Sequence, residues 1–358
     1  MAPETTASIA DDLLAQLPAS PDAYPQKLDL VRGSVLLVRL NQALYQAASF
    51  LDDRILGPGI PGAWVPLASL ADAASRTSAG RPVHFIFHTG HVGSTLLSRL
   101  LDETGVILSL REPLPLRSLA EAHDVLKQPE SLLSDPHFDR LLAMFMRLWS
   151  RGYAATRAVV VKATSSAGRL ALPLLAGNEA ARAVYMNLRA EPYLATLLAG
   201  QNSPTDLRGH GPERMRRLQS RVAVALSPLH ALSIGELAAL SWLAESLTQR
   251  ETTQQLAGRV VALDFDDFLT DVAGSMGRIL GHFRMPSDER YLSAVALSPS
   301  LMRYSKAPEY AYTPAVRAEV LRDSRRDNRE EIRKGMDWLG RLARSDPAVN
   351  ELLNDSVA

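Results

Sequence analysis

The stretch Val83-His-Phe-Ile-Phe-His-Thr-Gly-His-Val-Gly-Ser-Thr-Leu-Leu-Ser-Arg-Leu-Leu101 reads as three pieces in a row. Val83 to His88 is a short apolar run with the β-rich composition of a buried strand. Thr89 to Gly93 holds two glycines, which let a chain turn tightly and approach a ligand closely. Ser94 onward carries leucines at helical spacing. Strand, glycine loop and helix in that order place the first amides of the helix where they have no internal acceptor, and such amides can point at an anion. Ser94 and Thr95 add hydroxyl donors. A Walker A loop needs a lysine where this loop has Ser94, and the loop holds no lysine at all.

Similar runs recur along the chain. Val106 to Leu110, Ala158 to Val161, Ala183 to Leu188 and Val260 to Leu263 are each four to six residues long. They are followed by Arg111, Lys162, Arg189 and Asp264. Helical patterns over 138–149, 168–175 and 234–249 separate several of them. Strands apolar on both faces that alternate with helices predict an α/β fold, a mostly parallel five-stranded sheet covered on both sides as a P-loop-like three-layer sandwich. Ligands of such sheets bind at the carboxyl ends of the strands, where these polar residues fall.

The flanks read differently. Residues 1–24 are rich in Ala, Pro, Ser and Asp and predict a frayed start with one short helix over 11–17. Leu30, Leu37, Leu40, Leu44 and Ala48 predict a helix over 28–55, ended by the Gly/Pro-rich 57–62, and 64–74 predicts another. Residues 291–314 read as a Pro-, Ser- and Tyr-containing loop and 316–343 as one charged helix. The division is therefore 1–82, a disordered start and helical extension; 83–290, the α/β core; and 291–358, a C-terminal loop and helix packed on it.

Composition narrows the function. Of 358 residues 46% are hydrophobic, enough for a sizeable core, and 39 basic side chains balance 39 acidic ones. That balance excludes a globally basic nucleic-acid wrapper. With no cysteine there is no disulfide, zinc–thiolate site or thiol nucleophile. Only Lys27, Lys127, Lys162, Lys306 and Lys334 are lysines among the 39 cations. The N-terminus has no basic n-region before an apolar run, and no window of eighteen apolar residues occurs, so a cytoplasmic protein without membrane insertion is expected. It is expected to act as a monomer or homodimer, with no nucleic-acid partner.

On these residues the chain resembles the sulfotransferase family over about 83–284. His91-Val-Gly-Ser-Thr95 is similar to the loop that binds the 5′-phosphosulfate of 3′-phosphoadenosine 5′-phosphosulfate. Val184-Tyr-Met-Asn-Leu-Arg189-Ala-Glu-Pro192 resembles the strand whose terminal Arg, with a Ser about eight residues on, holds the 3′-phosphate. Val260-Val-Ala-Leu-Asp-Phe-Asp-Asp-Phe-Leu269 is similar to a third strand of the family, and Tyr304-Ser-Lys-Ala-Pro-Glu309 is a looser echo. The sequence also departs from the pattern. His91 stands where the family has Lys or Arg, Thr196 is seven residues past Arg189, and Lys162-Ala-Thr164 lacks the usual catalytic histidine. Arg333-Lys-Gly335 matches an adenine-side loop within a helical stretch.

The resemblance implies sulfuryl transfer from that donor to a hydroxyl or amine of a small-molecule, saccharide or peptide acceptor, leaving adenosine 3′,5′-bisphosphate and requiring no metal. It implies a cofactor site of Gly90, His91, Val92, Gly93, Ser94, Thr95, Arg189, Thr196 and either Lys306 or the Arg333–Gly335 match. Candidate catalytic residues are His91 as hydrogen-bond donor to the bridging oxygen, Glu112 or His88 as base, and Lys162, which either faces the anion or pairs with a carboxylate such as Asp264. Glu112 is alternatively a partner of Arg111. Arginines in 201–217 mark either a solvated loop or a lid over an acidic acceptor. Two other readings stand: a Mg²⁺-dependent P-loop kinase or nucleotide hydrolase using Asp264, Asp266 and Asp267, and a member that binds a nucleotide or partner without turnover.

Overall fold

Five strands, β4 (Val83–His88), β5 (Ile107–Arg111), β6 (Ala158–Lys162), β7 (Ala183–Asn187) and β8 (Val260–Asp264), form one sheet in the computed structural model, which describes residues 6–78 and 80–355. The order is β5-β6-β4-β7-β8, and every pairing is parallel. Parallel neighbours need a crossover, and helices supply it on both faces. Alternation sorts the continuous apolar runs into two cores. Phe85, Phe87, Val159, Val161 and Tyr185 face one layer. Ile86, Val160, Val184 and Met186 face the other, with Leu97, Leu194 and Trp242. The fold is the α/β three-layer sandwich with helical additions at both ends.

The N-terminal addition also carries a second sheet. Instead of one helix over 28–55 there is an antiparallel sheet of β1 (Ala23–Asp29), β2 (Ser34–Arg39) and β3 (Gly62–Pro66), with a short helix Gln42–Ala47 after β2. Gly33, at φ 59°, makes the turn between β1 and β2. Val35, Leu37 and Val38 are buried, so the leucines that fall at helical spacing belong in part to a half-buried strand. Residues 64–66 belong to β3, and the helix there is Leu67–Ser75. The first helix is Thr6–Gln16; of the expected frayed start, residues 1–5 lie outside the described residues.

The charged helix expected over 316–343 is two helices, Pro314–Asp327 and Arg329–Ala343, meeting at Asn328. The Arg333-Lys-Gly335 match lies inside the second. Arg333 pairs with Glu330 and Asp337, and Lys334 with Glu331. Gly335 is needed for packing: a Cβ there would stand 2.6 Å from the carbonyl oxygen of Gly235 on the buried helix Ile234–Gln255. This stretch is therefore a helix contact and not a nucleotide loop.

Arg111 ties the N-terminal addition to the core. Fully buried at the end of β5, it donates to the Tyr45 and Ala48 carbonyls at 2.9 Å and to Ser98 Oγ at 2.6 Å, and it pairs with Asp102. Its carboxylate partner is Asp102, so Glu112 is left for another cation. The clamp carries residues 48–51 to the carboxyl edge of the sheet, where the Leu51 amide donates to the Arg111 carbonyl at 2.7 Å.

Candidate functional site

Between β4 and the helix Ser94–Asp102 the chain makes the expected cradle. Gly90 and Gly93 have φ of 103° and 72°, and His91 adopts φ 54°. Gly93 is the N-cap, and no side chain caps the helix, so the first-turn amides carry no side-chain acceptor. A Cβ on Gly93 would fall 2.0 Å from the Phe265 ring. Thr95 Oγ1 is buried without a hydrogen-bond partner. An uncapped helix start beside an orphaned hydroxyl fits a bound oxyanion.

The cradle opens into a cavity of about 430 Å³. Val92, Ser94, Thr196, Phe265, Arg303 and Arg317 are among the residues that line it. A hairpin covers it: Arg303 bridges Ala311, and the Tyr304 amide donates to the Tyr310 carbonyl at 2.9 Å. Arg99, on the helix after the loop, holds this hairpin by donating to the Ser305 carbonyl at 2.8 Å and also reaches Ser49 Oγ at 2.8 Å. The hairpin brings in Tyr304, Tyr312 and Lys306. No described residue offers Lys306 Nζ a hydrogen bond or ion pair. Burial first, and then the charge of Lys162, lower its pKa to about 8. A half-buried, unpaired ammonium facing a cradle of amides is a second feature suited to an anion.

Thr196 lines the cavity while donating to the Pro192 carbonyl at 2.7 Å. Arg189, at the start of the helix Ala190–Leu198, is exposed, has no partner among the described residues and does not line the cavity. Arg303 and Arg317 line it instead. Arg317 is held by Asp266 at 2.6 Å and lies over Phe265. Sequence reasoning misses both arginines. Arg317 belongs to a helix that reads as a solvated charged face, and only its closeness in space to Phe265 reveals it.

At the carboxyl edges of β5 and β6 stands an acid–base pair. Lys162, fully buried, pairs with Glu112 and not with Asp264. Glu112 adopts φ 55°, and its amide donates to the Lys162 carbonyl at 2.7 Å. Burial lowers the Lys162 pKa and Glu112 opposes that. Phe50, delivered by the Arg111 clamp, presents its ring 5.6 Å from Lys162 Nζ and 3.5 Å from the Arg54 guanidinium.

His88 is buried and uses both ring nitrogens. Nδ1 accepts from the Gly90 amide at 3.1 Å, and Nε2 donates to the Ala163 carbonyl at 2.8 Å, a tautomer set by those two partners. Burial and the charges of Lys162 and Lys306 keep it neutral, with its pKa well below the usual value. His91 is exposed at the mouth of the loop. The protein wall and then Lys306, Arg214 and Lys162 lower its pKa.

Asp264 Oδ1 is taken up as a helix cap, accepting from the Asp266 amide at 2.8 Å and the Asp267 amide at 3.3 Å. Asp266 is committed to Arg317. The acidic triplet is thus a structural start to the helix Phe265–Thr270.

No family model and no curated protein matches the chain. Solved structures resemble it at a distance. A sulfotransferase domain from the curacin biosynthetic pathway is 12% identical with a TM-score of 0.39, covering 65% of this chain and 84% of that one. A mouse sulfotransferase complexed with PAP is 12% identical, TM-score 0.38, over 79% and 92%. A sulfotransferase domain of the Synechococcus PCC 7002 olefin synthase is 15% identical, TM-score 0.37, over 69% and 96%. The chemistry of the site rests on its own residues. No helix among the described residues is long and apolar enough to cross a membrane.

Proposed function

We propose that this chain is a sulfotransferase that moves a sulfuryl group from 3′-phosphoadenosine 5′-phosphosulfate to a hydroxyl or amine of an acceptor. The observation that supports this most is the lysine-free cradle at 90–95, with uncapped amides, an orphaned Thr95 hydroxyl and an unpaired Lys306 facing it. Such a donor set matches an oxyanion in geometry and charge. The donor supplies the activated sulfur–oxygen bond; the acceptor oxygen forms a new bond to sulfur as the bridging oxygen leaves with the phosphate.

The chain's residues divide the work. The amides of Gly93, Ser94 and Thr95, with the Ser94 and Thr95 hydroxyls and Lys306, hold the phosphosulfate end. Fixed donors aimed at developing charge stabilise it better than water, which must reorganise. His91 donates a hydrogen bond to the bridging oxygen; a bound dianion favours its protonated form, which the free site disfavours. Thr196, Arg303 and Arg317 take the 3′-phosphate, and Tyr304, Tyr312 and Phe265 flank the base. Arg189 stays outside the cavity, so it is not assigned the grip expected of it. Glu112 accepts the acceptor proton with the carboxylate oxygen that Lys162 leaves free, and Lys162 fixes its orientation. His88, with both nitrogens engaged, positions Gly90 and exchanges no proton.

The test is incubation with the ³⁵S-labelled donor and a panel of phenols, sugars and amines. Label transferred to one acceptor class, with adenosine 3′,5′-bisphosphate released in equal amount, is the expected result. Turnover of ATP with Mg²⁺ and none of the sulfated nucleotide would refute it.

A further inference from the structure

The polar segment 201–217 is the helix Ser203–Gln219, and none of its residues lines the cavity. Its Arg217 pairs with Glu213 at 2.5 Å and with Glu245 at 2.6 Å. The cover of the cavity comes instead from the hairpin around Lys306, and that hairpin hangs on the cradle helix Ser94–Asp102. Arg99 in this helix and Glu103 at its C-cap, one turn apart, hold it at two points. Glu103 Oε1 takes the stem, accepting from Ser298 Oγ at 2.8 Å and from Ser300 Oγ at 2.6 Å. Arg99 takes the tip, donating from Nε to the Ser305 carbonyl at 2.8 Å.

The tip is a tight turn. The Ala307 amide donates to the Tyr304 carbonyl at 2.9 Å, so Ser305 and Lys306 are the two central residues. The Ser305 carbonyl and the Lys306 amide belong to one planar peptide unit. A bond that fixes this carbonyl therefore fixes the plane from which Lys306 departs. Among the described residues no group other than Arg99 donates to it. Ser305 and Lys306 both line the cavity with Val92, Gly93 and Ser94.

The same guanidinium reaches a second segment. Nη2 donates to Ser49 Oγ at 2.8 Å, and Nη1 and Nη2 stand 3.4 Å from the Gln46 and Ala47 carbonyls. Phe50, which follows Ser49, holds its ring 5.6 Å from Lys162 Nζ. All these acceptors are neutral, and they come from two segments far apart in the chain. A planar fork of five donors can serve both at once, which the compact ammonium of a lysine cannot.

We propose that Arg99 is a positioning residue of the transfer site: it sets the turn that holds Lys306 over the cradle, and it ties that turn to the segment carrying Phe50 beside Lys162. One side chain that does not line the cavity then fixes both the anion grip and the segment next to the acid–base pair. The inference rests on the sulfotransferase reading for the identity of the nucleotide, and not for the action of Arg99 on Lys306.

The test is a double-mutant cycle on the full chain, read by calorimetric titration with adenosine 3′,5′-bisphosphate. Lys306→Met and Arg99→Met should each weaken binding about tenfold or more. The double variant should bind no more weakly than Lys306→Met, because the turn that Arg99 sets no longer carries a charge. Arg99→Lys keeps one donor of the fork and should lose less than Arg99→Met. Ser49→Ala breaks the other arm alone and should keep the affinity within about twofold. A merely structural Arg99 would lower the melting temperature and leave the two losses independent. Losses that multiply in the double variant, wild-type affinity in Arg99→Met, or a loss in Ser49→Ala equal to that in Arg99→Met overturn the proposal. Should Arg99→Met not fold, the same cycle with Arg99→Lys decides it. Should the wild type not bind the bisphosphate, the sulfotransferase reading fails alone. The cycle is then run with inorganic pyrophosphate, which needs only the cradle and Lys306, and absence of coupling there overturns the role of Arg99 as well.

Discussion

Glu112 and Lys162 meet at the carboxyl ends of two adjacent parallel strands, as an ion pair with one partner fully buried. Arg111 and Lys162 are Cα partners in the ladder, so Glu112 is the first residue past the register. Its φ of 55° and the 2.7 Å bond from its amide to the Lys162 carbonyl turn the carboxylate back over the lysine. A β-region backbone would carry it away along the strand direction.

Removing one member leaves the other charge buried alone, which costs more than the pair contributes. Glu112→Gln should lower stability by about 3 kcal/mol and abolish transfer. Replacing both, as Glu112→Gln with Lys162→Met, should restore most of the stability and none of the activity. Urea denaturation and the labelled-donor assay read the two separately. A stable and active double variant would remove the pair from the mechanism.

Gly93 and Gly90 differ in what stands behind them. A Cβ on Gly93 meets the Phe265 ring at 2.0 Å, while one on Gly90 meets the Tyr193 hydroxyl at 3.3 Å. Both backbones have positive φ, which costs alanine about 1 kcal/mol. Gly93→Ala should therefore lose adenosine 3′,5′-bisphosphate binding by about a hundredfold or more, and Gly90→Ala by about tenfold. Fluorescence titration of each variant makes the comparison.

Lys306 is charged below a pKa of about 8 in the free protein, because burial and Lys162 depress it. Bisphosphate affinity should hold below pH 7.5 and fall as pH rises through 8 and the ammonium is lost. Lys306→Arg should flatten that decline, since a guanidinium keeps its proton, and Lys306→Met should bind weakly at every pH. Titrations from pH 6.5 to 9.5 provide the check.

Acid should weaken the fold. His84 is stacked on Phe283 at 4.8 Å, and burial depresses its pKa to about 4. His88 and His123 are also depressed, chiefly by burial. The unfolded chain binds protons on these groups near pH 6.5 and the folded one only lower, so stability is full above 6.5 and declines toward 4. A fully expressed shift of this size removes about 1.4 kcal/mol for each pKa unit, or about 1 kcal/mol from His84 alone by pH 5.5. Melting curves at pH 7.5, 6.5 and 5.5 should show the decline, and His84→Leu should reduce it.

The central sheet is legible because runs such as Ala158–Val161 and Phe85–Phe87 have no polar break and end close to glycine or charge. The cradle is legible for a related reason: strand, glycines and helix are contiguous. The sheet of residues 23–66 is hidden, since Leu30, Leu37, Leu40 and Leu44 mimic a helical stripe while the decisive turn rests on Gly33 alone. Arg303 and Arg317 cannot be separated from surface arginines without the hairpin and the helix that bring them to the cavity. Lys162 stands out at its strand end, but its partner depends on a left-handed Glu112 that no local pattern announces. Arg189 misleads, because a strand-terminal arginine fits a signature whether or not its side chain reaches the cavity.

The most direct test is calorimetric titration of the wild-type protein with adenosine 3′,5′-bisphosphate, ADP and ATP, each with and without Mg²⁺. Selective binding of the bisphosphate, unaffected by Mg²⁺ and lost in Gly93→Ala and Lys306→Met, is the predicted result. Binding only of ATP, and only with Mg²⁺, would contradict it.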